Sequence, residues 1–102
     1  HMVPQLRVDY DPSHLIMHEI ELEDSEPLLS KAAIVHLRDS ALGHMQTHFG
    51  QGTTDFDWLL KRCKAMRFRG DFVVEYLDGE GQEDIKPDII ALRKKITQYF
   101  PG

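Results

Sequence analysis

The chain has 102 residues, 41% of them hydrophobic and 28% charged, which is the composition of an ordinary globular domain. Its formal net charge of −5 argues against general nucleic-acid binding, and no apolar run approaches the roughly 18 residues of a membrane span. The single cysteine, Cys63, cannot form an internal disulfide, so we expect a cytoplasmic protein.

Three strands and three helices are predicted in chain order. His1 and Met2 are interpreted as an expression scar, and residues 3–102 as a single domain. Strands are predicted at residues 6–11, 33–37 and 72–77, the last two being apolar β-branched runs typical of strands covered on both faces. Helices are predicted around 25–30, at 55–67 after an N-cap at Thr54 or Asp55, and at 86–99 with Pro87 in the first turn. Strands that alternate with helices predict a parallel sheet with right-handed crossovers.

Ionisable residues lie near the carboxyl end of each predicted strand. Asp11 closes the first strand, His36 lies late in the second, and Glu75 lies late in the third. Because the ends of parallel strands lie side by side, these three side chains are expected to converge. Two carboxylates and an imidazole suit a divalent metal such as Mn²⁺, Mg²⁺, Co²⁺ or Zn²⁺.

Structural interpretations of the same residues stay open at this point. Glu75 alone could be a salt-bridged strand residue with Arg38 as its partner, and His36 alone could be a hydrogen-bonded core residue. Side-chain alternation places Arg38 on the same face as His36, and Val73 and Leu77 on the face of Glu75. The same alternation makes Arg7 and Asp9 plausible partners for one another.

Four motifs carry a resemblance to a known family. They are Asp11-Pro-Ser-His14, His36-Leu-Arg-Asp39, Gly50-Gln-Gly52-Thr-Thr-Asp55-Phe56 and Val73-Val-Glu75. In this order and spacing the chain resembles the xylose-isomerase-like TIM-barrel superfamily of sugar phosphate isomerases and epimerases. The resemblance implies an α/β fold that is a partial (β/α)₈ barrel, with about three β/α units corresponding to barrel strands six to eight.

The resemblance also implies roles for individual residues. Asp11, His36 and Glu75 would be metal ligands, and Glu75 would in addition be a catalytic base. The substrate-binding candidates are His14, Gln46, His44 and Arg38. The implied reaction is proton transfer next to a carbonyl through an enediolate, on a small sugar or hydroxy-acid substrate.

The second glutamate of the family's base pair comes from barrel strand five, which this sequence does not contain. A single chain is therefore expected to be inactive alone, and whether it is an enzyme stays open. The alternative is a non-catalytic half-barrel assembly module. An endonuclease-IV-like DNA-repair activity ranks last, because the segment His44-Met-Gln46 lacks the expected aspartate–histidine pair. Open sheet edges predict a homo-oligomer, with neither nucleic acid nor membrane as a partner.

Overall fold

A computed structural model describes residues 8–101, which form a mixed α/β domain. The elements are β1 (Val8–Tyr10), α1 (Pro12–Met17), a 3-10 turn (Leu22–Ser25), α2 (Glu26–Leu29), β2 (Ala32–Leu37), α3 (Phe56–Ala65), β3 (Asp71–Val74) and α4 (Lys86–Tyr99). No helix in residues 8–101 is long and apolar enough to cross a membrane.

The sheet has three strands in the order β1-β2-β3, and both strand pairs are parallel. The predicted parallel sheet is therefore confirmed. The third strand ends at Val74, earlier than predicted, although the Glu75 amide still donates to the Leu37 carbonyl at 2.9 Å. Residues 6 and 7 of the first predicted strand, and with them the expected Arg7–Asp9 pairing, lie outside the described residues.

The two longer helices lie where the apolar spacing predicted them. Asp55 caps α3, because its carboxylate accepts a hydrogen bond from the Trp58 amide at 3.0 Å. Pro87 stands in the first turn of α4, where its missing N–H costs no helical hydrogen bond. The helix α1 was not predicted, because its N-cap and first residue, Asp11 and Pro12, were assigned to the end of a strand.

The apolar core lies on one face of the sheet. Val35 and Leu37 of β2 are fully buried in one cluster with residues of α3 and α4, namely Leu59, Leu60, Cys63 and Leu92. Burial raises the pKa of the Cys63 thiol to about 11, so this cysteine is a core residue and not a nucleophile near neutral pH.

The other face of the sheet is open. Val73 is 38% exposed and Leu77 is 44% exposed, although both are apolar. Their neighbours Phe72 and Val74, which point the opposite way, pack against the core as predicted. His36 and Glu75 thus lie beside the exposed apolar residues of this open face.

Candidate functional site

His36 and Glu75 meet where β2 and β3 end. His36 stands opposite Val73 in the parallel register, and Glu75 lies two residues after Val73, directly beyond the end of β3. The imidazole Nδ1 lies 2.9 Å from the carboxylate Oε2 of Glu75. The Glu75 side chain remains 36% exposed, so small molecules can reach this carboxylate. Two of the three predicted metal ligands are therefore in contact.

This contact is close but is not a hydrogen bond. Nδ1 of His36 is buried and has no hydrogen-bond partner in residues 8–101, so Glu75 Oε2 lies close to Nδ1 but outside hydrogen-bonding alignment. His48 offers a comparison, because its Nδ1 lies 2.8 Å from Asp88 Oδ2 in an aligned hydrogen bond. His36 Nδ1 is therefore a buried ring nitrogen in contact with the Glu75 carboxylate but not hydrogen-bonded to it.

The separation of the two atoms suits adjacent ligands of a metal ion. Donors at about 2.1 Å from a divalent metal and at a right angle to each other lie about 3 Å apart. The 2.9 Å between His36 Nδ1 and Glu75 Oε2 matches that spacing. On the other side of the ring, His36 Nε2 lies 3.8 Å from Asp9 Oδ2. A carboxylate facing the second nitrogen is the usual support of a metal-binding histidine.

Asp11, the third predicted ligand, is held by other contacts. It caps α1, where Oδ1 accepts hydrogen bonds from the Ser13 amide at 3.0 Å and from the Ser13 hydroxyl at 2.5 Å. Its second oxygen, Oδ2, lies 3.5 Å from His14 Nε2 and 3.9 Å from Arg38 Nη2. Within residues 8–101, no group of three or more His, Cys, Asp or Glu side chains is close enough to hold a metal ion. The structure thus brings two of the three predicted ligands together, and Asp11 is turned to Ser13.

The two loop candidates for substrate binding differ in their surroundings. Gln46 is buried, and its amide oxygen accepts from the Leu77 amide at 2.8 Å while its nitrogen donates to the Leu77 carbonyl at 2.9 Å. The same nitrogen lies 2.6 Å from the Gln82 side chain, so Gln46 joins the loop after β2 to the segment after β3. His44 is exposed at the end of a tight turn in which its backbone pairs with Ala41.

Sequence reasoning missed the role of Asp39, which organises the loop after β2. This carboxylate is 2% exposed and accepts hydrogen bonds from four backbone amides, those of Ser40, Gly50, Gly52 and Thr54. The two glycines of the Gly50-Gln-Gly52 motif were the available signal, because glycines let a backbone approach a carboxylate closely.

Tyr76 ties this loop to the strand end that carries Glu75. Its hydroxyl donates to the Thr47 carbonyl at 3.0 Å and accepts from the Asp39 amide at 3.0 Å. Burial raises the pKa of Tyr76 well above its ordinary value, so the hydroxyl stays protonated and keeps both bonds. The segment after β3 that carries Glu75 is therefore held to β2 by the Glu75 amide and to the loop after β2 by the Tyr76 hydroxyl.

This arrangement places a partly exposed carboxylate beside an imidazole, with a buried arginine two residues further along the chain. A carboxylate and an imidazole are groups that serve in proteins as metal ligands and as general acids and bases. No protein-family model matches the chain, and no curated protein matches it.

Proposed function

We propose that this chain contributes the last three β/α units of a xylose-isomerase-like barrel, and that its sheet edge is half of a metal-dependent sugar isomerase or epimerase site. The observation that carries the proposal is the 2.9 Å approach of His36 Nδ1 to Glu75 Oε2 without a hydrogen bond. The parallel order β1-β2-β3 supports it, because consecutive strands of such a barrel pair in this way.

Each residue of the pair has a role in the proposed reaction. A bound divalent metal would polarise the substrate's carbonyl and so acidify the adjacent C–H. Glu75 would remove the proton from that carbon, which requires the partial exposure that its side chain has, and a second base would return a proton to the substrate. His36 would hold the metal through Nδ1, and the Asp9 carboxylate, 3.8 Å from Nε2, lies on the side of the ring where a supporting group would act.

Two parts of the site are missing from the His36–Glu75 pair. The first is a third ligand, which Asp11 supplies once its Oδ2 turns to the metal, because its present contacts at 3.5 and 3.9 Å are longer than ordinary charge-assisted hydrogen bonds. The second is a base that acts on the opposite side of the substrate carbon, and another chain must donate it. The half-site is therefore inactive until chains associate.

Association of this kind is the first testable consequence. The open face exposes Val73 and Leu77, and β1 and β3 are both edge strands of the sheet. We expect light scattering to give a mass above the 11.8 kDa of one chain at micromolar concentrations.

The variant Leu77→Glu should shift that mass towards the monomer, because it places a charge on the open face. Ile90→Glu is the matched control, since Ile90 is an exposed apolar residue of α4 away from this face. A parent mass of 11.8 kDa at all concentrations would contradict the expectation.

The metal site is tested by calorimetric titration with Mn²⁺ or Co²⁺. We expect weak binding to the parent chain, because Asp11, the predicted third ligand, is held by two hydrogen bonds from Ser13. Both Glu75→Ala and His36→Ala should lose about tenfold or more in affinity, since each removes a donor from a site of few ligands.

The matched control is His48→Ala, which removes the imidazole of a histidine–carboxylate pair of similar distance that is already hydrogen-bonded. This variant should bind as the parent does. Equal affinities for the parent and Glu75→Ala would show that the strand-end pair is structural, and the proposed function would then be dropped.

A further inference from the structure

A groove lies between two parts of the chain, the end of α1 with the segment that follows it and the loop after β2. It encloses about 380 Å³, which is at the lower end of the range for ligand sites in proteins. None of the residues that line it belongs to the candidate functional site. The Gly43 amide donates to the Met17 carbonyl at 3.0 Å and so joins the two walls. The groove is therefore formed by contacts within one chain.

Apolar side chains line the groove from both walls. Ile16 and Leu22 come from the first wall and are buried. Ile20 of the first wall is 46% exposed, and Leu42 of the second wall is 59% exposed. A ligand that covers these two side chains removes apolar surface from water, which stabilises the complex.

Acidic side chains line the same groove, and within residues 8–101 no lysine or arginine joins them there. The four carboxylates are those of Glu19, Glu21, Glu23 and Asp55. All four residues are exposed, and none of them takes part in the ion pairs of the described chain. Like charges around one groove repel each other and attract cations, so a basic ligand is complementary to this lining.

We propose that this groove binds a basic peptide segment of a partner protein, in which aliphatic side chains are flanked by lysine or arginine. The aliphatic side chains cover Ile20 and Leu42, and the flanking cations pair with the carboxylates. An apolar ligand would leave the carboxylates uncompensated, and a simple cation would leave the apolar side chains exposed. The site is separate from the proposed metal-dependent function and does not rest on it.

The test is fluorescence anisotropy with a labelled synthetic peptide in which two leucines are flanked by lysines on both sides. We expect binding that weakens as salt is added, because surface ion pairs are screened. Two further peptides carry serine in place of leucine or glutamate in place of lysine, and each should bind about tenfold more weakly or worse. Spermidine, a cation without aliphatic side chains, should displace the labelled peptide only at a concentration about tenfold or more above that of the unlabelled peptide.

Variants of the apolar side chains locate the peptide in the groove. Ile20→Ser and Leu42→Ser should each weaken binding by about tenfold, because each removes an apolar contact. Both side chains are about half exposed, so the folded chain does not depend on their burial. The matched control is Leu28→Ser, which should bind as the parent does, because Leu28 is 51% exposed and lies outside the groove.

Variants of the carboxylates test the electrostatic part of the proposal. The double variant Glu21→Gln, Glu23→Gln should bind about tenfold more weakly at low salt and should show a smaller salt dependence. Glu83→Gln is the control for the change in net charge, since Glu83 is exposed in the segment after β3 and does not line the groove. This control should bind as the parent does.

Absence of peptide binding, or equal binding by Ile20→Ser and Leu42→Ser, would overturn the inference. Equal binding of the serine peptide, or displacement by spermidine at the concentration of the unlabelled peptide, would also overturn it, because the groove would then attract any cation. A lower light-scattering mass for Ile20→Ser or Leu42→Ser, without peptide binding by the parent, would show that a second copy covers the groove instead.

Discussion

Replacing Asp39 by alanine should lower the free energy of unfolding by about 4 kcal/mol, which is among the larger losses that single substitutions cause. The carboxylate is almost fully buried and accepts four backbone hydrogen bonds, at 2.9 Å from Ser40, 2.8 Å from Gly50, 3.1 Å from Gly52 and 3.3 Å from Thr54. Alanine leaves these donors without an acceptor, and a donor that stays buried, as the Ser40 amide does, costs about 1–3 kcal/mol before the loop relaxes, whereas the exposed Gly50 amide can bond to water.

Urea denaturation at neutral pH measures this loss, and Asp55→Ala is the matched control. Asp55 is exposed and accepts a single capping hydrogen bond from Trp58, so its removal should cost only about 1 kcal/mol. Asp39→Asn should fall between the two, because an amide keeps one acceptor oxygen. A loss for Asp39→Ala no larger than that for Asp55→Ala would contradict the role assigned to this carboxylate.

Replacing Gly70 by alanine should cost about 3 kcal/mol or more, at the upper end of the range for overpacked sites. The added Cβ would lie 2.8 Å from the carbonyl carbon of Ala33 and closer still to its oxygen. Ala33 belongs to β2, and Gly70 directly precedes β3. Because the obstacle is backbone, no side-chain rotation can relieve it, and β3 must move away from β2.

The control for this variant is Gly79→Ala. Nothing lies within 4 Å of a Cβ at Gly79, but its φ of +86 lies in the left-handed region, so alanine should cost about 1 kcal/mol there. Both variants are compared by urea denaturation followed by circular dichroism. If Gly70→Ala loses no more stability than Gly79→Ala, the strand pair tolerates the added methyl group and the close approach is not a constraint.

The sheet and the long helices could be predicted because their signals are local. The runs around Val35 and Val73 are apolar and β-branched, and α3 repeats apolar residues at helical spacing. The helix α1 escaped prediction although aspartate followed by proline is a typical helix start. Its signal was outweighed by the expectation that Asp11 ends a strand.

The sequence predicted only those contacts of the candidate site that the pairing register of the strands determines. Because β2 and β3 are parallel and end at the same edge of the sheet, His36 and Glu75 come together there, and their contact follows from the sequence pattern. The register of β1 against β2 shifts between Val8 and Asp9, and such an irregularity cannot be seen in composition. Beyond Tyr10 the chain turns into α1, which commits Asp11 to capping, and the carboxylate nearest His36 Nε2 on this side is that of Asp9, at 3.8 Å.

The loop contacts were beyond sequence reasoning for a different reason. Asp39 meets Gly50 and Gly52, and Gln46 meets Leu77, only after the loop has folded back on itself. No periodic pattern encodes such contacts, which depend on the backbone conformation of many residues together. The glycine spacing marks where the chain approaches closely, but it does not identify the group that it approaches.

The most direct test of the proposed half-site is the anomalous diffraction of crystals grown with Mn²⁺. We expect an anomalous peak at about 2.1 Å from both His36 Nδ1 and Glu75 Oε2, the distance usual for such ligands. Asp11 Oδ2 or a carboxylate of a second chain should complete the coordination. A map without a peak between His36 and Glu75, or with its peak only beside His48 and Asp88, would contradict the metal-dependent function proposed for this chain.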